Sequence, residues 1–164
     1  VGKTRTRHRV RTYSQVVSGE SGRVLVVDDN RVIRQLIRVN LELEGFEVVT
    51  AADGAECLEV VHDVMPDAIT LDVVMPRLDG VRTAQRLRAD PRTSDLPVAI
   101  ISACTQYEVE SGIAAGVDAF LAKPFEPAEL IRLVRRLTLR EGPPSLDGRR
   151  DGRRGAGRAG SARG

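Results

Sequence analysis

Five short apolar runs in this chain are each followed by polar residues, and four of the five endings carry reactive groups. Val24–Val27 leads into Asp28 and Asp29, Ala68–Leu71 into Asp72, Val98–Ile101 into Ser102, and Ala119–Ala122 into Lys123. One such acid alone reads as a turn or cap residue. Three carboxylates, a hydroxyl and an ammonium at successive run ends read differently. Asp28, Asp29 and Asp72 in one crevice would repel, and each would resist ionising unless a cation neutralised them. Hard oxygen donors with room for water and phosphate oxygens favour Mg²⁺. The chemistry this set suits is phosphoryl handling beside a divalent cation.

The runs have the near-continuous apolar character of strands covered on both faces. The fifth of them is Phe46–Thr50. Between them lie segments with helical period. Val32, Ile33, Leu36, Ile37 and Leu41 are expected on the inner face of a first helix stopping near Gly45, where a glycine suits the C′ position. Ala55, Leu58, Val61 and His62 mark a second helix, with Asp53 as N-cap. Val81, Ala84 and Leu87 mark a third, Val109, Ile113 and Ala114 a fourth, and Leu130, Leu133, Val134 and Leu137 a fifth. Strict βα alternation, five times over, predicts a parallel sheet with right-handed crossovers and helices on both faces. Ligands in such sheets bind outside the carboxyl ends of the strands, where the reactive residues fall.

The strings VLVVDDN, ITLDVVMPRLDG, AIISA and FLAKPF, in that order over residues 23–140, resemble the receiver domains of bacterial two-component systems, particularly the single-domain chemotaxis-regulator type. The resemblance implies a flavodoxin-like, doubly wound (βα)5 sandwich with parallel sheet order 2-1-3-4-5. It implies that Asp72 is the phosphoacceptor, taking a phosphoryl group from a histidine kinase or phosphotransfer protein. Asp29 and Asp72 would then ligate Mg²⁺ directly, Asp28 directly or through water, and the Val74 backbone carbonyl would add a ligand. Lys123 would pair with the attached phosphoryl group, its bond to Pro124 being cis as in the family. The Ser102 hydroxyl and the Ala103 backbone N–H would donate to phosphoryl oxygens. Ser102 and Phe120 would form the switch that reshapes the face of the fourth helix, fifth strand and fifth helix for a downstream protein. Phe120 has no hydroxyl, so only the packing half of that switch is expected. Val74 and Cys104 stand where the family varies groups that orient the hydrolytic water; neither is an acid or an amide, so slow self-dephosphorylation is expected.

Other features are read more plainly. Met75-Pro76 and Asp79-Gly80 shape a loop and cap the third helix. His62 is expected at the surface, and Cys57 and Cys104 as packing or near-surface thiols. With 3% aromatics and no Trp the core must be aliphatic, and two cysteines far apart support neither a disulfide framework nor a zinc site. No apolar stretch reaches the roughly 20 residues that span a bilayer, and no signal peptide is recognised, so a cytoplasmic protein is expected.

Charge is segregated along the chain. Residues 23–141 hold 14 Lys and Arg against 20 Asp and Glu, and the remainder holds 11 against 3. Residues 1–22 and 141–164 are expected to be basic, disordered tails around one receiver domain at 23–140. The leading expectation is a stand-alone phosphorylated signalling domain that acts on itself and is not an enzyme in the turnover sense; sequence-specific DNA binding is not expected. The alternative gives the function to the tails, which would bind nucleic acid or an anionic surface through their charge. An Asp nucleophile with Mg²⁺ also serves phosphotransferases and hydrolases of small substrates, but nothing in the sequence supplies a lid or substrate pocket.

Overall fold

In the computed structural model, residues 21–139 are described. The basic segments expected at either end lie outside them, except that Ser21 and Gly22 hydrogen-bond against the turn at Glu44–Glu47. The elements run β1 (Arg23–Val27), α1 (Arg31–Leu43), β2 (Glu47–Ala51), α2 (Gly54–Val64), β3 (Ala68–Leu71), α3 (Gly80–Ala89), β4 (Val98–Ser102), α4 (Gln106–Ala114), β5 (Ala119–Ala122) and α5 (Pro127–Thr138). All strand pairs are parallel, in the order β2-β1-β3-β4-β5, so the expected flavodoxin-like topology is the observed one.

Alternation along each strand sends neighbours to opposite faces of the sheet. Leu25 and Val27 join Ile69, Leu71, Val98 and Ile100 in a core closed by α2 and α3. Val24 and Val26 join Ile101 in a second core closed by α1 and α5. The helices are held at their ends by local chemistry: the side chains of Asn30, Asp53, Asp79 and Thr105 each accept N-terminal backbone N–H groups of α1, α2, α3 and α4. Gly45, just past α1, has φ +89°, a left-handed conformation in which glycine is favoured.

Two helix faces differ from expectation. In α1, Ile37 and Leu41 are buried and Ile33 packs against them, but Val32 and Leu36 face solvent. The apolar residues of this helix form two stripes. One, at 33, 37 and 41, meets the sheet; the other, at 32, 36, 39 and 43, is exposed. A count of apolar residues over one helix cannot separate adjacent stripes. In α4, Ile113 and Ala114 are exposed, and the buried residues are Glu108 and Gly112. Its inner face is therefore neither large nor apolar. Among the described residues, no helix is long and apolar enough to cross a membrane.

The two stripes of α1 predict unequal costs of truncation. Leu41→Ala should lower the unfolding free energy by about 2–5 kcal/mol, whereas Leu36→Ala should change it by less than about 0.5 kcal/mol. Urea denaturation of the two variants measures both, and equal losses would contradict the assignment of faces.

Candidate functional site

The carboxyl ends of β1, β3 and β5 bring Asp28, Asp29, Asp72 and Lys123 together at one rim of the sheet. Asp28 and Asp72 are placed by the strands' own ladder, since the Asp28 N–H bonds Ala51 and the Asp72 N–H bonds Val27. Carboxylate oxygens of Asp28, Asp29 and Asp72 lie within 4.8 Å of one another, a spacing at which they could hold a metal ion. Lys123 reaches in from the end of β5, its Nζ 2.8 Å from Asp28 Oδ2 and 3.5 Å from Asp72 Oδ2. The Lys123-Pro124 bond is cis, as the KPF string led one to expect. The backbone also ties this end of β5 to β4, with the Lys123 N–H donating to the Ser102 carbonyl at 2.7 Å.

The acids are not equivalent. Asp28 is buried, and both its oxygens are engaged: Oδ1 accepts from the Asn30 N–H at 2.9 Å and Oδ2 from Lys123. Asp29 is exposed and Asp72 is half-buried. Asp72 Oδ1 accepts the Val73 N–H at 2.8 Å. Burial, and next the charge of Asp28, push the Asp72 carboxyl up to about 6, against the opposing pull of Lys123 and the Val73 N–H. Burial works to lower the Lys123 ammonium, but Asp28 and then Asp72 outweigh it and hold the amine above its ordinary value. Three carboxylates thus face a single ammonium. The surplus of negative charge and the all-oxygen donor set fit a hard divalent cation.

The β3–α3 loop is fixed around Asp72 by close backbone packing. The Gly80 N–H donates to the Val73 carbonyl at 2.8 Å, and a Cβ on Gly80 would sit 2.0 Å from the Asp72 carbonyl oxygen. A side chain at this position would push α3 away from the loop that carries Asp72. Val74 is exposed on the same loop. Arg77, with φ +64°, lays its guanidinium on the buried Asp53 at 2.8 Å and so ties this loop to the start of α2. The Glu56 and Ala55 N–H groups and Arg77 hold the Asp53 carboxyl below its usual range. This Asp53–Arg77 tie was not foreseen; 24 residues separate the partners, and no local pattern joins them.

Ser102 occupies the end of β4 as expected, but its hydroxyl is committed elsewhere. It donates to Glu108 Oε2 at 3.0 Å and accepts the Cys104 N–H at 3.1 Å. Glu108 is itself buried on α4 and takes the Thr105 N–H at 3.2 Å in a capping box. The T-x-x-E spacing of Thr105 and Glu108 was a readable helix-start signal, yet nothing in it revealed the reach to Ser102. Ala103 is exposed beside Ser102. Phe120 is half-buried and packs against the core on the α2 and α3 side. Cys57 is fully buried, with its thiol pushed up to about 12 by desolvation and next by Glu56, as suits a packing residue. Cys104 is half-buried, and His62 pairs with Asp90 at 3.2 Å on the surface of α2.

The Asp72 environment makes a prediction about folding. A carboxyl raised above its unfolded value binds its proton more tightly in the folded state, so its contribution to stability is present below about pH 4 and is lost as pH rises through about 6. Without divalent cations, Asp72→Asn should therefore raise the thermal midpoint at pH 7.5, with the gain shrinking toward pH 4. Calorimetry across that range tests it; a gain that does not depend on pH would refute the electrostatic origin.

Comparisons with known proteins agree with this geometry. The family profile described as response regulator receiver domain matches residues 24–135. The transcriptional regulatory protein PrrA of Mycobacterium tuberculosis is 46% identical over 123 residues, covering 74% of this chain and 52% of that protein. The DNA-binding dual master transcriptional regulator RpaA of Synechocystis is 39% identical over 119 residues, covering 72% of this chain and 49% of that protein. The chain thus spans about half the length of the curated relatives it matches. Among solved structures, a response regulator from Chloroflexus aurantiacus superimposes with a TM-score of 0.70 at 35% identity, covering 73% of this chain and 98% of that one. The receiver domain of a sensor histidine kinase from Pseudomonas aeruginosa, which carries a magnesium ion in its active-site cleft, gives 0.67 at 32% identity, with 71% and 97% covered. With its sheet order, its acidic rim and its lysine on a cis-proline loop, this chain belongs to the response regulator receiver domain family.

Proposed function

We propose that this chain is a phosphorylation-controlled signalling domain, working in the cytoplasm, in which Asp72 accepts a phosphoryl group from the phosphohistidine of a histidine kinase or phosphotransfer protein. The observation that carries the reading is the half-buried Asp72 carboxyl held 3.5 Å from the Lys123 ammonium, within a set of acids able to hold a cation. A carboxylate is a weak nucleophile, so the reaction depends on position and on neutralising charge. An Asp72 oxygen attacks phosphorus, the O–P bond forms, the N–P bond to the imidazole breaks, and the histidine leaves with its electron pair. Asp72 then carries an acyl phosphate.

Each neighbour has a part in that step. Asp29 and Asp72, with Asp28 directly or through water and the Val74 carbonyl, would hold Mg²⁺. When bound, Mg²⁺ supplies positive charge that draws electron density off the phosphoryl oxygens. Lys123 shifts its partnership from the acids to the phosphoryl oxygens, and the Ala103 N–H is a further donor. The Ser102 hydroxyl would join them once freed from its present partner. Slow self-dephosphorylation follows from the absence of an acid or amide side chain at Val74 and Cys104. One phosphoryl group per chain, with no product released to solvent in the transfer, separates this domain from an enzyme acting on a metabolite.

The exposed stripe on α1 supports a protein donor. Val32, Leu36, Val39 and Leu43 follow a 4-3-4 spacing, which makes one seam along the helix. The helix begins just after Asp28 and Asp29, so the seam starts at the site rim. A partner helix laid along it would bring its phosphohistidine to Asp72. On the output side, β5 and α5 line a groove of about 570 Å³ that includes Phe120, Leu121, Arg132 and Arg136, and Phe120 also meets α4 at Gly112. A downstream protein docking there would sense any change in α4 or Phe120.

The decisive experiment is incubation with acetyl phosphate and Mg²⁺, followed by intact-mass measurement. The native chain should gain one phosphoryl group, and Asp72→Asn none. Removing Mg²⁺ with a chelator should abolish the gain. Equal labelling of both proteins would refute the assignment.

A further inference from the structure

The buried contact between Ser102 and Glu108 has a consequence for how α4 is held. A hydroxyl has one proton to give. Here its carboxylate acceptor is Glu108 Oε2 at 3.0 Å, with Cys104 Sγ a longer and weaker alternative at 3.7 Å, within a pocket where Ser102 is 2% exposed and Glu108 8%. The rest of the inner face of α4 offers little to hold the helix down. Its other buried residue is Gly112, one turn further on and so on the same face. A Cβ at Gly112 would lie 2.7 Å from Phe120 Cε1 and 2.9 Å from Ile100 Cδ1, so the aromatic ring rests directly against the helix backbone. The helix thus touches Ser102 through one turn and Phe120 through the next.

The geometry points to Glu108 as a positioning residue that holds Ser102 away from the phosphoryl site and holds α4 on the sheet until phosphorylation exchanges one acceptor for another. The proposal rests on the reading of Asp72 as phosphoacceptor and adds a residue and a competition to it. The hydroxyl proton goes either to the Glu108 carboxylate or to an oxygen of the phosphorylated Asp72. Taking the second option removes the main polar attachment of α4 and leaves the packing of Gly112 on Phe120 as its hold. Movement of the helix would then open space at Phe120. On the α4 side the links are short: Ser102 to Glu108, Glu108 to Gly112 along one helix face, and Gly112 against Phe120.

The test compares the full chain with Glu108→Gln, Ser102→Ala and the double variant. Gln preserves the capping box with Thr105 but replaces a charged acceptor by a neutral one, about half as strong. Two readouts are followed: the rate of phosphoryl uptake from acetyl phosphate with Mg²⁺, by intact mass, and amide hydrogen exchange over residues 106–114. In Glu108→Gln, uptake should rise severalfold and α4 exchange in the unphosphorylated chain by about tenfold, toward the level of phosphorylated native protein. In the Ser102→Ala background, the same substitution should change neither.

Unchanged uptake and exchange in Glu108→Gln, with Asp72 still phosphorylated, would overturn the latch and leave the phosphoacceptor reading intact. An equal effect with and without the Ser102 hydroxyl would also overturn it, because Glu108 would then act only as a helix cap. A native chain that gains no phosphoryl group would overturn the phosphoacceptor reading and the coupling with it; Ser102-dependent exchange in α4 would then show the tether alone.

Discussion

The fold is organised around an electrostatic debt at the ends of β1 and β3. Asp28 and Asp72 stand side by side because parallel pairing of their strands puts them there, and Asp29 adds a third acid at the same edge. Lys123 answers only part of that charge. Its ammonium bonds the buried Asp28 at 2.8 Å and stands farther from Asp72. The tighter bond is structural in effect, since it fixes the end of β5 to β1 across two intervening strands. The looser one leaves Asp72 with an environment that disfavours its own charge. Sites built for ion or anion exchange need this kind of incomplete neutrality, because a fully satisfied cluster would have no reason to admit a further ion.

The surrounding elements serve to keep that arrangement in place. Four helices start within reach of the rim, each capped by a side chain at the turn that follows a strand. The loop after β3 is held from two sides, by the close approach of Gly80 to the Asp72 backbone and by Arg77 on Asp53. The face of the sheet beneath α1 and α5 is apolar and buried, with Phe46 among the aliphatic side chains of Ile37, Leu41 and Leu130. That apolar packing contrasts with α4, whose buried residues are one glutamate and one glycine. An element held by so few buried apolar side chains is the kind that opens most readily.

How far this could be read from the sequence depended on whether a signal was local. Strands were legible because parallel strands buried on both faces are nearly all apolar, as in VLVV and, with one threonine, AITL. Site residues were legible because each stands immediately after such a run. The cap residues Asp53 and Asp79 followed from their position before helical period. Face assignment failed in α1, where buried Ile37 and exposed Leu36 are neighbours in sequence and alike in chemistry. It failed again in α4, where Ile113 is exposed and a glutamate is buried. Hydrophobicity does not report a helix that docks by a hydrogen bond. Ser102 was placed correctly at the rim, but its partner lies six residues on, at a distance fixed by the turn that precedes α4 and by no repeat in the chain.

The hydrogen bond between Lys123 and Asp28 joins positions 95 residues apart, and the acids themselves come from two different βα units. No single βα unit holds the full set. During synthesis, the rim stays incomplete until the fifth strand has emerged and paired, so a half-made or clipped polypeptide lacks the ammonium that Asp28 and Asp72 face. Competence to receive a signal is in this way tied to possession of the whole sheet.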